Sequence, residues 1–195
     1  IGANVDQLNL INITDNSGIC WFHPLMYKYY IFTNAVFQDV RQVPGVNAVT
    51  GNPSSIICDL TETIIDQYTS SRTILFSDIT ISNLNATLIF SKNRDYTLGH
   101  PPVLYTNIQI QGASNVNAPI VLIDSVNVGL TLKQFSVDSS LSNNFTLFSF
   151  SNLINFNLYE FTLSNIQTAV SIMQLSNCVV NSQLSLRLKG CSHSN

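Results

Sequence analysis

The chain has 195 residues, 10% of them charged and 45% hydrophobic, with a net charge of −3. That length supports one sizeable domain with its own core. No cluster of Lys and Arg supplies the electrostatic footprint of nucleic-acid binding, and no apolar run approaches the ~18 residues of a membrane span.

Residues 8–17, Leu-Asn-Leu-Ile-Asn-Ile-Thr-Asp-Asn-Ser, alternate apolar and polar and predict an early β coil, with Asn16-Ser17-Gly18 as its corner. Before them, Ile1 to Asp6 carry no basic residue, so a signal peptide is expected to be absent or already removed. Seven aromatics then fall in seventeen positions: Trp21, Phe22, Tyr27, Tyr29, Tyr30, Phe32 and Phe37. Such a cluster is expected to cover the end of an apolar core. Residues 54–71 read as a short helix, with Ile57, Leu60, Ile64, Ile65 and Tyr68 near helical spacing, although Ile56-Ile57 and Ile64-Ile65 also fit a strand. Residues 1–72 are therefore expected to form an irregular N-terminal region, and residues 73–195 a run of regular coils.

That run rests on a phrase that recurs five times: Asp78–Ser82, Asn107–Gln111, Gln134–Asp138, Glu160–Ser164 and Ser185–Lys189. Each copy is polar-apolar-polar-apolar-polar, the pattern of a strand with one buried face. Taken at Ile79, Ile108, Phe135, Phe161 and Leu186, the spacings are 29, 27, 26 and 25 residues. A second series, marked by Phe90, Ile123, Phe150 and Leu175, runs between the copies at spacings of 33, 27 and 25. The polar stretch 92–102 is read as a loop that lengthens the first intervals. Two interleaved series with nearly one period indicate a single repeated unit of ~25 residues, the size of one β-helix coil. Ser-Asn directly follows a strand phrase at 82–83, 151–152, 164–165 and 176–177. Asn tolerates left-handed backbone, so these pairs predict corners, and stacked Asn side chains can bond from coil to coil. The predicted fold is all-β, a right-handed parallel β-helix. Ile79, Ile81, Ile108, Ile110, Phe135, Val137, Phe161, Leu163, Leu186 and Leu188 should face inward. Thr80, Gln109, Ser136, Thr162 and Arg187 should form one outward column. An antiparallel sandwich is the alternative, because its strands also alternate.

Covalent signals point to a secreted or cell-surface protein. Acceptor sequons occur at Asn12, Asn85 and Asn144. Four cysteines, Cys20, Cys58, Cys178 and Cys191, have no CxxC spacing and no His placed to complete a zinc site, so disulfides are expected and a metal is not. The preferred pairs are Cys20–Cys58 and Cys178–Cys191, unless Cys191 pairs beyond this segment.

The paired strand series with their Ser-Asn corners resembles the parallel β-helix of pectin-lyase-like proteins over about residues 73–190. The Asn-, Ser-, Ile- and Phe-rich texture is similar to that of very large surface proteins of protists, ciliates in particular. Enzymes of the pectin-lyase-like class use outward carboxylates, often with Ca²⁺ or basic residues. This chain lacks their usual signatures: it has no Asp-Asp pair, no Gly-His-Gly and no Arg-x-Lys after such a site. Asp78 and Glu160 are expected on one column but three coils apart, ~14 Å at ~4.8 Å per coil, beyond the ~5–9.5 Å of a glycosidase pair. Asp138 and Glu160 are offset along the strand, and Asp124 falls in the other series. His23, His100 and His193 are separate in sequence, and Asp59, Glu62 and Asp66 read as a solvated helix face. No catalytic residue and no cofactor are assigned. The expected role is structural, within an extracellular fibre or coat. Its partners would be other copies or other parts of that assembly, and the last phrase, running nearly to the end, reads as a segment of a longer chain. A carbohydrate-binding or adhesive module ranks second, and a polysaccharide-active enzyme third.

Overall fold

The computed structural model describes residues 2–15, 22, 29–42, 55–61, 73–93, 103–113, 119–125, 129–138, 142–143, 146–168 and 170–193. Eighteen strands form among them. The first are β1 (Gly2–Asp6), β2 (Asn9–Ile11), β3 (Thr14–Asp15), β4 (Tyr29–Gln38), β5 (Arg41–Gln42) and β6 (Ser55–Thr61). Then come β7 (Thr73–Leu84), β8 (Thr87–Asn93), β9 (Val103–Ala113), β10 (Val121–Ser125), β11 (Gly129–Asp138) and β12 (Ser142–Asn143). The last are β13 (Phe148–Ser151), β14 (Asn155–Ser164), β15 (Gln167–Thr168), β16 (Met173–Ser176), β17 (Val180–Lys189) and β18 (Ser192–His193).

All of them pair in parallel. One long sheet runs β1-β4-β7-β9-β11-β14-β17, with β2 also beside β4. A second runs β6-β8-β10-β13-β16, and two small ones are β3-β5 and β12-β15-β18. Successive coils therefore revisit the same sheets in the same direction. This is a β-solenoid and not an antiparallel sandwich, whose strands would alternate in direction.

Burial follows the alternation. Ile79, Ile108 and Phe135 form one inward column and Ile81, Ile110, Val137 and Leu163 another, each residue no more than 1% exposed. Thr80, Gln109, Ser136, Thr162 and Arg187 stand in one register as the outward column. Aromatic rings add cohesion along the core. Phe135 stacks on Phe161 at 5.2 Å, and Phe148 meets Phe161 edge-on at 5.2 Å. Phe76 stacks on Tyr105 at 5.0 Å. Offset or edge-on pairs of this kind add about 0.5–1.5 kcal/mol beyond their buried area.

The structure corrects several expectations. Residues 55–61 are strand β6, paired with β8, and not the start of a helix. Ser55, Ile56 and Ile57 are all buried, and a strand enclosed by a parallel stack reads as a continuous apolar run. Residues 62–72 lie outside the described residues. Phe32 and Phe37 sit fully inside the core of β4, and Phe22 packs on Phe32 at 4.6 Å. This part of the aromatic cluster thus fills the core, while Trp21 and Tyr27 lie outside the described residues. The early coil reaches back to Gly2, since β1 and β2 both pair with β4. In the second sheet, Phe90 pairs with Leu122 and not with Ile123, a slip of one residue that aligns buried Ile89 with buried Val121. Leu186 and Leu188 occupy the inward columns, opposite Phe161 and Leu163, yet are 42% and 55% exposed because no described coil stacks on β17.

Phe161→Ala removes a ring held between two others in a closed core, and should cost about 3–5 kcal/mol. Leu188→Ala, on the exposed face of β17, should cost less than about 1 kcal/mol. Urea unfolding of both variants checks this, and equal losses would contradict the assigned column ends.

Candidate functional site

The most organised polar chemistry lies at the corners. Long strands turn where one residue adopts a left-handed backbone. One such column is Gln7, Asn34, Asp78, Asn107, Gln134 and Glu160, with φ between 52° and 59°. It splits β4, β7, β9, β11 and β14 each into two arms, in the last four at the first residue of the recurring phrase. A second column, at the end of the long strands, holds Asn12, Asp39, Asn83, Gly112, Asn165 and Gly190. A third follows the second sheet, at Asn152 and Asn177. All four predicted Ser-Asn corners, at Asn83, Asn152, Asn165 and Asn177, are left-handed as expected. Glycine enters the second column where space requires it. A Cβ on Gly112 would lie 2.9 Å from Asn83 Oδ1, and one on Gly190 would lie 2.8 Å from Asn165 Oδ1.

Carboxylates join these columns into ladders. Asn34 Nδ2 donates to Asp6 Oδ1, Asn83 Nδ2 to Asp39 Oδ1 and Asn107 Nδ2 to Asp78 Oδ1, each at 2.7 Å. Asn152 Nδ2 donates to Asp124 Oδ1 and Asn165 Nδ2 to Asp138 Oδ1, again at 2.7 Å. Asn177 Nδ2 continues the third column onto Asn152 Oδ1 at 2.8 Å. Each bond joins one coil to the next, and an ionised acceptor makes such a bond shorter and stronger than a neutral one. The stacked Asn residues predict bonds of Asn to Asn, as between Asn177 and Asn152, whereas five of these acceptors are carboxylates. Their signal in the sequence is an Asp lying one coil before a corner Asn, at separations of 28, 44, 29, 28 and 27 residues.

The acids are accordingly dispersed. Asp78 and Glu160 share the first left-handed column three coils apart, as the spacing implied. Asp138 and Asp124 belong to different corners. Beside the first column lies an open polar furrow of about 420 Å³, lined by Asn107, Gln109, Gln134, Ser136 and Glu160. Gln109 Nε2 donates to Asn107 Oδ1 within it at 3.1 Å. Among the described residues, no group of three or more His, Cys, Asp and Glu is placed to hold a metal ion. No helix there is long and apolar enough to cross a membrane.

Of the sequons, Asn12 is exposed on the second left-handed column, and Asn85 is half-buried beside Arg41. Asn144 lies outside the described residues. The expected Cys178–Cys191 disulfide is not formed: both are free thiols. They occupy different corners of the last coil, where the Cys178 thiol donates to the Ser176 and Phe150 carbonyls and that of Cys191 to those of Leu163 and Lys189. Each follows a left-handed residue, Asn177 or Gly190, as core residues Leu153 and Ile166 do one coil earlier. They act as small apolar fillers at that height. Cys20 and the side chain of Cys58 lie outside the described residues, as do His23, His100, Glu62, Asp66 and the side chain of Asp59. His193 is exposed in β18.

No protein-family model matches this chain, and neither a curated protein nor a solved structure matches it.

Asp6 gives the ladder a measurable pH signature. The Asn34 amide, then the Thr33 hydroxyl at 2.9 Å and the Gln7 backbone, hold its carboxyl below the ordinary value against partial desolvation. A depressed folded-state value stabilises the fold above the unfolded-state value, and that contribution is lost as pH falls through the folded one. Thr33→Val and Asn34→Gly, which keeps the left-handed turn accessible, should each move the acid-unfolding midpoint to higher pH. An unchanged midpoint would contradict the role of Asp6.

Glu160 offers a second test. A left-handed Glu is strained in a way that Asn is not. Glu160→Asn should therefore raise stability by about 1 kcal/mol in urea unfolding, and a loss of stability would refute the strain.

Proposed function

We propose that this chain is a glycosylated, non-catalytic structural unit of an extracellular or cell-surface assembly. In this reading it is a right-handed β-helix of the pectin-lyase-like kind, such as large ciliate-like protist surface proteins contain. The observation that carries the proposal is the Asp–Asn ladder. Five carboxylates of a charge-poor chain are engaged in bonds between coils at 2.7 Å, where they stiffen the stack. A low charge also suits close lateral packing, since little like-charge repulsion opposes it.

The exposed sequon at Asn12 supports a secretory route. A carbohydrate-binding module is the second reading, and the polar furrow beside Glu160 favours it, since amide and carboxylate groups suit sugar hydroxyls. Peptide mapping of the protein from its native cells, with immunogold labelling, tests the first reading. Glycan on Asn12, Asn85 and Asn144 with label confined to the surface layer is expected. An unglycosylated chain inside the cell overturns it.

A further inference from the structure

We propose that the polar furrow beside Glu160 binds a short stretch of a neutral, hydroxyl-rich polysaccharide laid along the solenoid axis; this deepens the carbohydrate-binding reading above and is compatible with the structural one. Three successive coils build the furrow: Asn107 and Gln109 come from β9, Gln134 and Ser136 from β11, and Glu160 from β14. It therefore crosses the strands. Asn107 and Glu160 share the first left-handed column two coil steps apart, ~10 Å. A break in the ladder leaves its polar groups available. Lower in the same column, Asp78 accepts the Asn107 amide of the next coil at 2.7 Å. Glu160 has no such neighbour. Leu158 pairs with Leu184 and Phe161 with Leu186, so Tyr159 and Glu160 on β14 face the single residue Ser185 on β17. Among the described residues, the side chains of Gln134, Ser136 and Glu160 make no hydrogen bond or ion pair.

The lining selects the ligand. Amides and a hydroxyl both donate and accept, as sugar hydroxyls do, and the Glu160 carboxylate accepts from them. Among the described residues, no Lys, Arg or His lines the furrow, so nothing there recognises a phosphate, sulfate or uronate. One carboxylate without further acids, Cys or His does not make a cation site. A peptide added as a strand needs unpaired backbone groups, whereas β9, β11 and β14 are each paired on both sides. The polar lining also lacks the apolar walls of a typical cofactor pocket. A furrow this short binds weakly in one copy, and many copies along one polymer multiply the effect.

The test is affinity electrophoresis of the purified 195-residue chain through gels containing laminarin, galactomannan or hydroxyethylcellulose, with alginate as the anionic polymer. Circular dichroism checks the fold of each variant. At least one neutral polymer should retard the chain, and alginate should not. Glu160→Gln, which removes the charge and keeps the shape, should weaken the retardation about tenfold, and Gln109→Ala and Ser136→Ala about threefold each. Gln174→Ala, exposed on the second sheet, should change nothing. A chain that runs freely through all three neutral gels overturns the carbohydrate-binding reading and the site with it. Retardation that the furrow variants leave unchanged overturns the site alone. Retardation by alginate at equal or greater strength overturns the neutral ligand. The surface role keeps its own test in the glycan map and labelling.

Discussion

Stacking in register is the constraint on which everything else in this molecule depends. A coil adds to a solenoid only if its inward residues meet the inward residues of the coil before it, at ~4.8 Å. Its corners must therefore fall at the same heights every time. Left-handed residues make those corners, and six of them align in the first column alone. Coil length can vary, as the 29- to 25-residue spacings show, provided the extra residues leave between corners. The aromatic stack from Phe135 to Phe161 and the Asp–Asn ladder outside it are two consequences of the same alignment, one apolar and one polar.

The repeat was legible in the sequence because alternation of period two survives in every copy, and because Asn after a strand has a specific backbone meaning. Ile79, Ile108 and Phe135 could be placed in one column from spacing alone. Other features were hidden for physical reasons. Gln134 and Glu160 turn the chain as sharply as Asn107 does, but neither residue type announces a left-handed backbone. The β6 segment fits helical spacing as well as a strand because buried parallel strands lose the alternation that identifies exposed ones. Alignment on Phe90 slipped by one residue because Leu88, Ile89 and Phe90 are all apolar. Leu186 and Leu188 take the inward direction that the alternation predicts, and stay partly exposed because no described coil stacks beyond them.

The polar surface gains its meaning from the same geometry. Asp39, Asp78, Asp124 and Asp138 are four of the eleven acids in a charge-poor chain. Each proves to accept an amide hydrogen bond from the next coil. Glu160 differs, since it lines an open furrow together with Gln134 and Ser136. The cysteines follow a similar logic: Cys178 and Cys191 continue columns that Leu153 and Ile166 occupy one coil earlier, so their position answers to packing first.

The in-register parallel stack is tested most directly by distances between spin labels on the outward column. Labels on Thr80 and Thr162 stand three coils apart, and labels on Thr80 and Arg187 stand four. Backbone separations of about 14 Å and about 19 Å are expected, a rise of ~4.8 Å for the added coil. Separations that do not increase with coil number, or that bring Thr80 and Arg187 closer than Thr80 and Thr162, would contradict the account.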